Sequence, residues 1–417
     1  MDYFDINLDL TEEDLALREA AHKFAKEVMR PVAKELDRMA CEDVVAEGSP
    51  LWDFLKKAYE LGYHKVLMPD HVGGMGLSPL QVHLVFEELG WGSFGLSVLL
   101  AVLGFPAFCA VLSNDDELIE KFAIPYCECT DGSIRGCWAI TEPDHGSDHL
   151  GLGEAFFSSP DMRCSAQARL DGDHYVISGQ KSAWVSGGTI SNVALLHPQI
   201  DRSRGIAGSG VCIVPLDLPG VSKGKPLDKI GQRDLNQGEI YFDAVRIPKS
   251  YMIFEPDFYP EILETILGFA NLCMSIFSTG LARAAFEEAF SYCKERVQGG
   301  RRLMEYYSIK QRIFRMFSRV ETCRALSRAA ANLNFNVSPP VAEYSLVAKT
   351  TATQMCFENA HEAIQSLGGN GLTKEYLTEK LFRDARATLI EDGNNETLDR
   401  HGGHIIFESY PRSRDEI

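Results

Sequence analysis

The sequence predicts an α+β multidomain protein in which one β domain lies between two helical domains. This prediction rests on three observations. Apolar residues recur at helical spacing through the first third of the chain. They then form short β-type runs separated by turns. Long helical runs return from about residue 258 onward and suggest a bundle. The predicted domains are 1–136, 137–250 and 251–417.

The individual elements follow from residue spacing, taken in chain order. In the first domain, helices are predicted at 11–36, 50–62, 79–90 and 95–112. In the β domain, Asp171-Gly172 lies between two β-type runs and predicts a hairpin. In the last domain, helices are predicted at 258–297, 303–334, 341–367 and 376–389.

Composition excludes several classes of protein. The chain has 41 Lys and Arg residues against 59 Asp and Glu, a formal net charge of −18, so its surface repels nucleic acid and anionic membranes. No window of about 18 residues is apolar without polar interruption, so no membrane span is expected. Residues 1–28 have neither a signal peptide's apolar core nor a transit peptide's Arg- and Ser-rich composition. We therefore expect a cytoplasmic protein.

Several familiar catalytic motifs are missing from the sequence. It contains no dinucleotide-binding G-x-G-x-x-G, no P-loop, no H-E-x-x-H, no paired C-x-x-C and no G-x-S-x-G. The 11 cysteines are scattered, and the close pair Cys127 and Cys129 alone is a poor metal signal. We expect reduced, buried thiols and no metal site.

Two segments of the β domain could contact a ligand. In residues 137–148 a β-type run enters a turn rich in hydroxyl residues, which can direct N–H and O–H donors at a ligand. In residues 179–188, Trp184 lies beside hydroxyl residues and two glycines and could form a platform for a flat cofactor. The alternatives are an ordinary hairpin turn and a core tryptophan at a strand end.

A third candidate segment comes late in the chain. Residues 367–371 are rich in glycine after a predicted helix, and their N–H groups could bind an anion such as a pyrophosphate. Further on, the adjacent carboxylates of Glu391 and Asp392 precede Gly393 and are candidate general bases. The alternatives are a helix C-cap and a solvated acidic turn.

Together these segments resemble the acyl-CoA dehydrogenase family over nearly the whole chain. The family's T-E-P-x-x-G-S-D turn is matched by residues 141–148. Its G-x-K-x-W-[IV]-[TS]-x-G run is matched by residues 179–188, with one extra residue before Trp184. Further patterns are matched in the family's order at Pro69 to Gly76, at Gly231-Gln232-Arg233 followed by Val245 to Pro248, at Glu295-Arg296, and at Gln365 to Gly371 followed by Arg383-Asp384.

The resemblance implies a helical N-terminal domain, a β-barrel-like middle domain and a C-terminal four-helix bundle. It also implies a homotetramer with FAD between the last two domains, an acyl-CoA substrate, and an electron-transferring flavoprotein as acceptor. Carried over by position, Thr141 and Ser186 bond the isoalloxazine and Trp184 lies against it. Ser147 touches the acyl-CoA. The diphosphate half of FAD is held across a subunit interface by Arg296, Gln365, Gly368 and Gly369.

Alignment on Arg383-Asp384 places Asp392 where the family has its usual catalytic Glu, with Glu391 one residue earlier. An Asp before Gly, and Gly299-Gly300 after the Glu-Arg pair, also resemble the nitroalkane oxidase branch, in which an Asp deprotonates a nitroalkane. An inactive, flavin-free scaffold is a third hypothesis. The sequence departs from the family's pattern at Leu235, Ala270-Asn271 and Tyr307 as well, where CoA or FAD contacts are in question.

The reaction implied is α,β-dehydrogenation of an acyl-CoA thioester, as in bacterial catabolism, with the proton going to Asp392 and a hydride to the flavin. Asp is one methylene shorter than Glu, which removes roughly 1 Å of reach and leaves volume over the α-carbon. We therefore expect a branched or alicyclic acyl group, with a second carboxylate as an option. Small residues that could widen the pocket further are Gly268, Ser275, Ser278, Thr279 and Gly299-Gly300.

Overall fold

A computed structural model describes residues 5, 6 and 9–410 and begins with a helical domain, as predicted. Capping boxes at Thr11 and Ser78 start two of its helices, because each side chain bonds the backbone N–H three residues on. The helices are α1 (Glu12–Phe24), α2 (Arg30–Leu36), α3 (Cys41–Val44), α4 (Pro50–Glu60), α5 (Pro79–Gly92), α6 (Phe94–Leu103), α7 (Phe105–Leu112), α8 (Asp116–Leu118) and α9 (Ile124–Glu128).

The single helix predicted at 95–112 is wrong, since α6 and α7 meet at Gly104 with a bend of 44°. Pro106 has no backbone N–H to continue the helical ladder, and its ring clashes with the preceding turn. A single turn of π-helix also separates α1 from α2 within the predicted run 11–36.

The middle domain consists of two four-stranded sheets, in the orders β1-β4-β5-β8 and β2-β3-β7-β6. The hairpin predicted at Asp171-Gly172 is confirmed: Asp171 pairs with His174 of the next strand, and Gly172 adopts a φ of 65° in the turn. The strands are β1 (Gly136–Ala139), β2 (Gln167–Asp171), β3 (His174–Lys181), β4 (Val193–Leu196), β5 (Val211–Pro215), β6 (Val221–Lys223), β7 (Ile240–Pro248) and β8 (Met252–Phe254).

The barrel-like middle domain expected from the resemblance is open. Single bridges at Gln199 connect β2 at Gln167 to Ser209, just before β5, and they replace a continuous ladder there. Among the described residues, no strand pairing closes the two sheets into a barrel.

The C-terminal domain is a bundle of the four helices α10–α13, with a fifth packed against α12. The helix α14 was not predicted; its sequence contains Gly402 and Gly403, which are poor helix formers. The elements are α10 (Tyr259–Glu295), a hairpin of β9 (Val297–Gln298) and β10 (Arg301–Arg302), α11 (Tyr307–Asn334), α12 (Ala342–Leu367), α13 (Thr378–Thr388) and α14 (Asn395–Ser409).

Helix α10 is the central helix of the molecule. By length and composition it could cross a membrane, but 89% of its most apolar stretch is buried within the protein, as in the core helix of a soluble protein. It lies very close to α5, where a Cβ on Gly280 would come within 2.1 Å of the Glu87 carbonyl oxygen. Buried Arg283 then pairs with the carboxylates of Glu87 and Glu88, each at 2.9 Å. These contacts dock the first domain on the bundle.

The small residues predicted to widen a pocket have other positions or contacts in the structure. Gly268 permits close approach of the connection between α11 and α12, since a Cβ there would lie 3.1 Å from Pro340. The hydroxyls of Ser275 and Thr279 bond carbonyls of their own helix. Gly299-Gly300 forms the exposed turn of the β9–β10 hairpin. Ser278 is fully buried and does not line the cavity described below.

Candidate active site

The two candidate carboxylates lie in a tight loop between α13 and α14, which we call the acidic loop (residues 390–395). Asp392 has a φ of 51° and Gly393 a φ of 94°, so two successive residues adopt the left-handed conformation. That conformation is unusual for a residue with a Cβ and tends to occur at functional sites. The sharp turn gives Glu391 and Asp392 different surroundings.

The Glu391 carboxylate is held by a glutamine. Nε2 of Gln232 donates to its Oε2 at 2.9 Å, and the backbone N–H of Gln232 is itself fixed by Oδ1 of Asp384 at 2.6 Å. Burial raises the pKa of Glu391 to about 7, although the Gln232 bond and the Lys229 ammonium act in the opposite direction. Glu391 is therefore a bonded carboxyl group, partly protonated at neutral pH.

The Asp392 carboxylate is half-buried and has no such partner: within residues 5, 6 and 9–410, no group donates a hydrogen bond to it. Burial raises the pKa of Asp392 to about 6, and the Lys349 ammonium opposes that rise. A free carboxylate that titrates close to neutral pH can accept a proton from a bound ligand.

Lys349 of α12 supports the acidic loop from inside the protein. Its Nζ donates to the carbonyl oxygen of Gly393 at 2.7 Å and to Oδ1 of Asn395 at 2.9 Å. The side chain is fully buried, which lowers the pKa of Lys349 to about 8, while the charges of Asp392 and Glu391 act to raise it. Charge-assisted bonds of this kind fix a loop more firmly than neutral ones.

Sequence reasoning missed Lys349, although a signal was present. The lysine follows the apolar residues 346–348 in a predicted helix, on a face that becomes buried. Lysine is almost never fully buried unless it is paired, so a lysine on a buried helical face points to a specific partner.

The turn at residues 141–148 contacts the acidic loop directly. The backbone N–H of Asn394 donates to Oγ of Ser147 at 3.0 Å. The turn is anchored by Glu142, a fully buried carboxylate that accepts from Nζ of Lys181 at 2.7 Å and from the backbone N–H of Ala166 at 3.0 Å. Ser147 therefore contacts the acidic loop at Asn394, two residues after Asp392.

The segment after β3 presents an open aromatic surface. Trp184 is 57% exposed, which is unusual for so large an apolar side chain, so the alternative of a buried core tryptophan is wrong. Two residues on, Oγ of Ser186 accepts from Nε2 of Gln237 at 3.0 Å. The segment adjoins the turn at 141–148, because Ser182 N–H donates to the Thr141 carbonyl oxygen at 2.9 Å. An exposed indole flanked by hydroxyls fits a flat, polar-edged cofactor.

A second group of predicted residues lies elsewhere, and we call it the exposed end (Arg296 and residues 365–369). Arg296, Gln365, Gly368 and Gly369 are all exposed. Cβ atoms built on the two glycines would meet nothing within 4 Å, which leaves the backbone open to close approach. Nδ2 of Asn370 donates to the hydroxyl of Tyr292 at 2.9 Å, so this loop lies beside the end of α10, just before Arg296.

The structure thus divides the predicted site into two groups. In the first group, the acidic loop that contains Asp392 contacts Ser147 of the turn at 141–148. In the same group, Lys229 interacts with Glu391 and donates a hydrogen bond to Gln237, which in turn donates one to Ser186. In the part of the chain that the structure describes, no hydrogen bond or ion pair joins these residues directly to the exposed end.

A narrow apolar cavity lies near the acidic loop. Cys273 connects the two, because it lines the cavity and its pKa is raised to about 12, first by burial and also by the Asp392 charge. The cavity walls contain no Lys, Arg, Asp or Glu, and burial lowers the pKa of the lining His64 to about 4, so the histidine is neutral. The apolar walls are formed mainly by Tyr63, Leu67, Met68, Phe86, Phe105, Phe108 and Phe269.

Three of the sequence's departures from the family pattern differ in their surroundings. Leu235 is buried in the core. Asn271 is fully buried on α10, and neither of its side-chain polar atoms has a hydrogen-bond partner among the described residues. Tyr307, in contrast, is 87% exposed at the start of α11 and is open to a ligand or a neighbouring subunit.

Each of the three domains is similar to the corresponding domain of known proteins. Family models for the N-terminal, middle and C-terminal domains of acyl-CoA dehydrogenases match residues 11–114, 137–245 and 261–404. A mitochondrial short-chain specific acyl-CoA dehydrogenase from Rattus norvegicus is 29% identical over 391 residues, which span 94% of this chain and 89% of that protein.

Solved structures give the same answer for the fold. Butyryl-CoA dehydrogenase from Megasphaera elsdenii has a TM-score of 0.85 at 25% identity, over 97% of this chain and 100% of that one. An active-site mutant of a nitroalkane oxidase, crystallised with 1-nitrooctane, has a TM-score of 0.87 at 19% identity, over 97% and 98%, and shares the fold. Because all three domain models match in order along one chain, the protein belongs to the acyl-CoA dehydrogenase family.

Proposed function

We propose that this acyl-CoA dehydrogenase removes the α-proton of a branched or alicyclic acyl-CoA with Asp392 as its base. The family catalyses oxidation of CH–CH groups with FAD, so the proposal concerns the residues and the acyl group. The observation that carries it is the contrast between two adjacent carboxylates. Glu391 is bonded to Gln232, whereas Asp392 has a free carboxylate and a pKa near 6.

The acidic loop also offers a donor for the substrate. The α-proton of a thioester is weakly acidic, so a carboxylate can remove it only if the forming enolate oxygen is stabilised. The backbone N–H of Asp392 donates to no acceptor among the described residues and is free to bind that oxygen. Single donors of this kind contribute roughly 3 kcal/mol to catalysis.

The residues of the two groups fit FAD. When bound, FAD accepts the β-hydrogen of the substrate as hydride. We assign its flexible diphosphate half to the exposed end and its flat ring to Trp184, which is 57% exposed and flanked by Thr141 and Ser186. Aromatic faces and hydroxyl groups suit a planar ring with polar edges.

The cavity near Cys273 has a volume of about 20 Å³, so it must widen to admit an acyl group, and its apolar walls favour an apolar one. The cavity walls provide no cation for a second carboxylate. Burying an unpaired carboxylate there would be costly, so we set aside the dicarboxylic option. The short side chain of Asp392 leaves volume over the α-carbon, where a branch or ring can lie.

Anaerobic mixing of the holoenzyme with a panel of CoA esters tests this proposal. Flavin bleaching should be fastest with cyclohexane-type or α-branched esters, slower with butyryl- and octanoyl-CoA, and slowest with a dicarboxylic ester such as glutaryl-CoA. Fastest bleaching by a straight-chain ester would contradict the steric argument from Asp392. No bleaching by any ester would contradict the dehydrogenase assignment and favour an inactive scaffold.

A nitroalkane oxidase is the second candidate, because this chain also presents an aspartate before glycine in the acidic loop. Turnover of nitroethane with rapid peroxide formation in air would support that candidate. A dehydrogenase should instead reoxidise slowly in air and need an artificial or protein acceptor, for which we propose an electron-transferring flavoprotein.

We further propose a homotetramer in which the exposed end completes the cofactor site of a neighbouring subunit. Its residues are exposed in one subunit and make no direct bond to the residues around Asp392 within the described chain. Light scattering of the purified protein should give a mass of four chains. A monomer that retains FAD would contradict this part of the proposal.

A further inference from the structure

Two residues behind the exposed tryptophan form a short hydrogen-bond relay. Nζ of Lys229 donates to the carbonyl oxygen of Leu235 and to Oε1 of Gln237, each at 2.8 Å. An ammonium group donates hydrogen bonds and cannot accept them. The oxygen of the Gln237 amide must therefore face Lys229.

The other side of the same amide is fixed independently. Nε2 of Gln237 donates to the carbonyl oxygen of Trp184 at 3.2 Å and to Oγ of Ser186 at 3.0 Å. A backbone carbonyl only accepts, so the amide nitrogen must face Trp184. Gln237 is only 5% exposed and cannot satisfy its polar atoms with water, so a flipped amide would be costly.

The orientation of the amide determines the direction of the Ser186 hydroxyl. Because Oγ of Ser186 accepts from Gln237, its proton must point elsewhere. The hydroxyl makes no other hydrogen bond among the described residues, and it lies beside the exposed Trp184. We infer that Lys229 and Gln237 are positioning residues that orient the Ser186 hydroxyl as a donor toward FAD. This inference rests on the proposed role of the Trp184 and Ser186 surface.

The relay also connects this surface to the acidic loop. Lys229 is half-buried, and the charge of Glu391 acts to keep it protonated. Burial lowers the pKa of Lys229 to about 8, so it remains a cationic donor at pH 7. The same lysine thus orients Gln237 on one side and interacts with the carboxylate next to the proposed base on the other.

The near-isosteric substitution Gln237→Glu tests the inference, because a carboxylate accepts from Lys229 but cannot donate to Ser186. Ser186 must then turn its proton toward the new carboxylate and is lost as a donor to FAD. We expect the dissociation constant of FAD to rise about tenfold, as for Ser186→Ala. The visible flavin spectrum of the Gln237→Glu holoenzyme should shift in the same way as that of Ser186→Ala.

The double substitution separates this relay from a structural effect. In the Ser186→Ala background, Gln237→Glu should weaken FAD binding no further. The inference would be overturned if the effects of the two substitutions on the dissociation constant of FAD multiply, or if Gln237→Glu alone has no effect on it. If Gln237→Glu does not fold, Lys229→Met gives the same test, since it frees the amide to rotate. Gln354→Glu, at an exposed position of α12, makes the same charge change as a control.

The flavin released from the wild-type protein distinguishes failure of the inference from failure of the proposed function. A wild-type protein without FAD would overturn the proposed function. A wild-type protein that binds FAD, but whose Ser186 and Gln237 variants act independently, overturns the relay alone.

Discussion

The acidic loop and the exposed end differ in how much of their environment one subunit provides. The acidic loop is bonded from three directions, by Lys349, by Gln232 and by Ser147. The exposed end has open glycines and an arginine that faces solvent. The loop that we propose places the catalytic carboxylate is pre-organised within its own chain, whereas the surface that we propose binds a long cofactor across subunits is left open.

The largest effect should come from removing the free carboxylate. Asp392→Asn should slow flavin reduction by substrate about 10³-fold or more, because a general base is lost, while FAD stays bound. Anaerobic stopped-flow mixing measures the rate. Glu391→Gln is the matched control and should retain most activity. Full loss in Glu391→Gln with a fully active Asp392→Asn would move the base by one position.

Removing the buried lysine should have an intermediate effect with a pH signature. Lys349→Met leaves the Gly393 carbonyl unpaired and withdraws the charge that holds down the pKa of Asp392. We expect flavin reduction at pH 7 to slow about tenfold or more, with partial recovery at higher pH as Asp392 ionises. Lys57→Met on the surface of α4 is the control. A slower enzyme with an unchanged pH profile would contradict the electrostatic role.

At the exposed end, substitutions should weaken FAD binding without destabilising the subunit. Arg296→Gln and Gly369→Ala should each raise the dissociation constant of FAD about tenfold or less. Gly368→Ala is different, because Gly368 has a φ of 61° and the new side chain strains the backbone, by about 1 kcal/mol. Flavin fluorescence and thermal unfolding measure the two effects. Arg169→Gln on β2 should change neither, and unaltered FAD binding in Arg296→Gln would contradict the assignment.

The long elements could be predicted from sequence because their spacing is dominated by burial. Runs predicted at 258–297 and 341–367 correspond to α10 and α12, and no end differs by more than two residues. The break at Gly104 and the helix α14 could not be predicted in this way. Pro106 ends one helix and starts the next, and glycines hide a helix that tertiary packing stabilises.

Among the site residues, some could be predicted from local motifs and others depend on contacts made only in the folded chain. Asp392, Ser147 and Trp184 lie in motifs whose order along the chain was informative. Lys349, Gln232's bond to Glu391 and the Gln237 relay depend on residues that meet only in the folded chain. Most of these pairs join residues that lie between 44 and 159 positions apart, and the Lys229–Gln237 pair lies within an irregular loop, so no local spacing reveals them.

The pH dependence of flavin reduction in wild type and Glu391→Gln tests the central claim most directly. The base must be ionised, so the rate should rise with pH and be half-maximal near the Asp392 pKa of about 6. Glu391, with a pKa of about 7, is mostly protonated in the pH range where Asp392 titrates, so Glu391→Gln should keep the rise and leave its midpoint near pH 6. Groups that face the two carboxylates are Gln232, Lys229, Lys349 and Cys273. A wild-type midpoint near the Glu391 pKa of about 7, with the rise abolished in Glu391→Gln, would contradict Asp392 as the base.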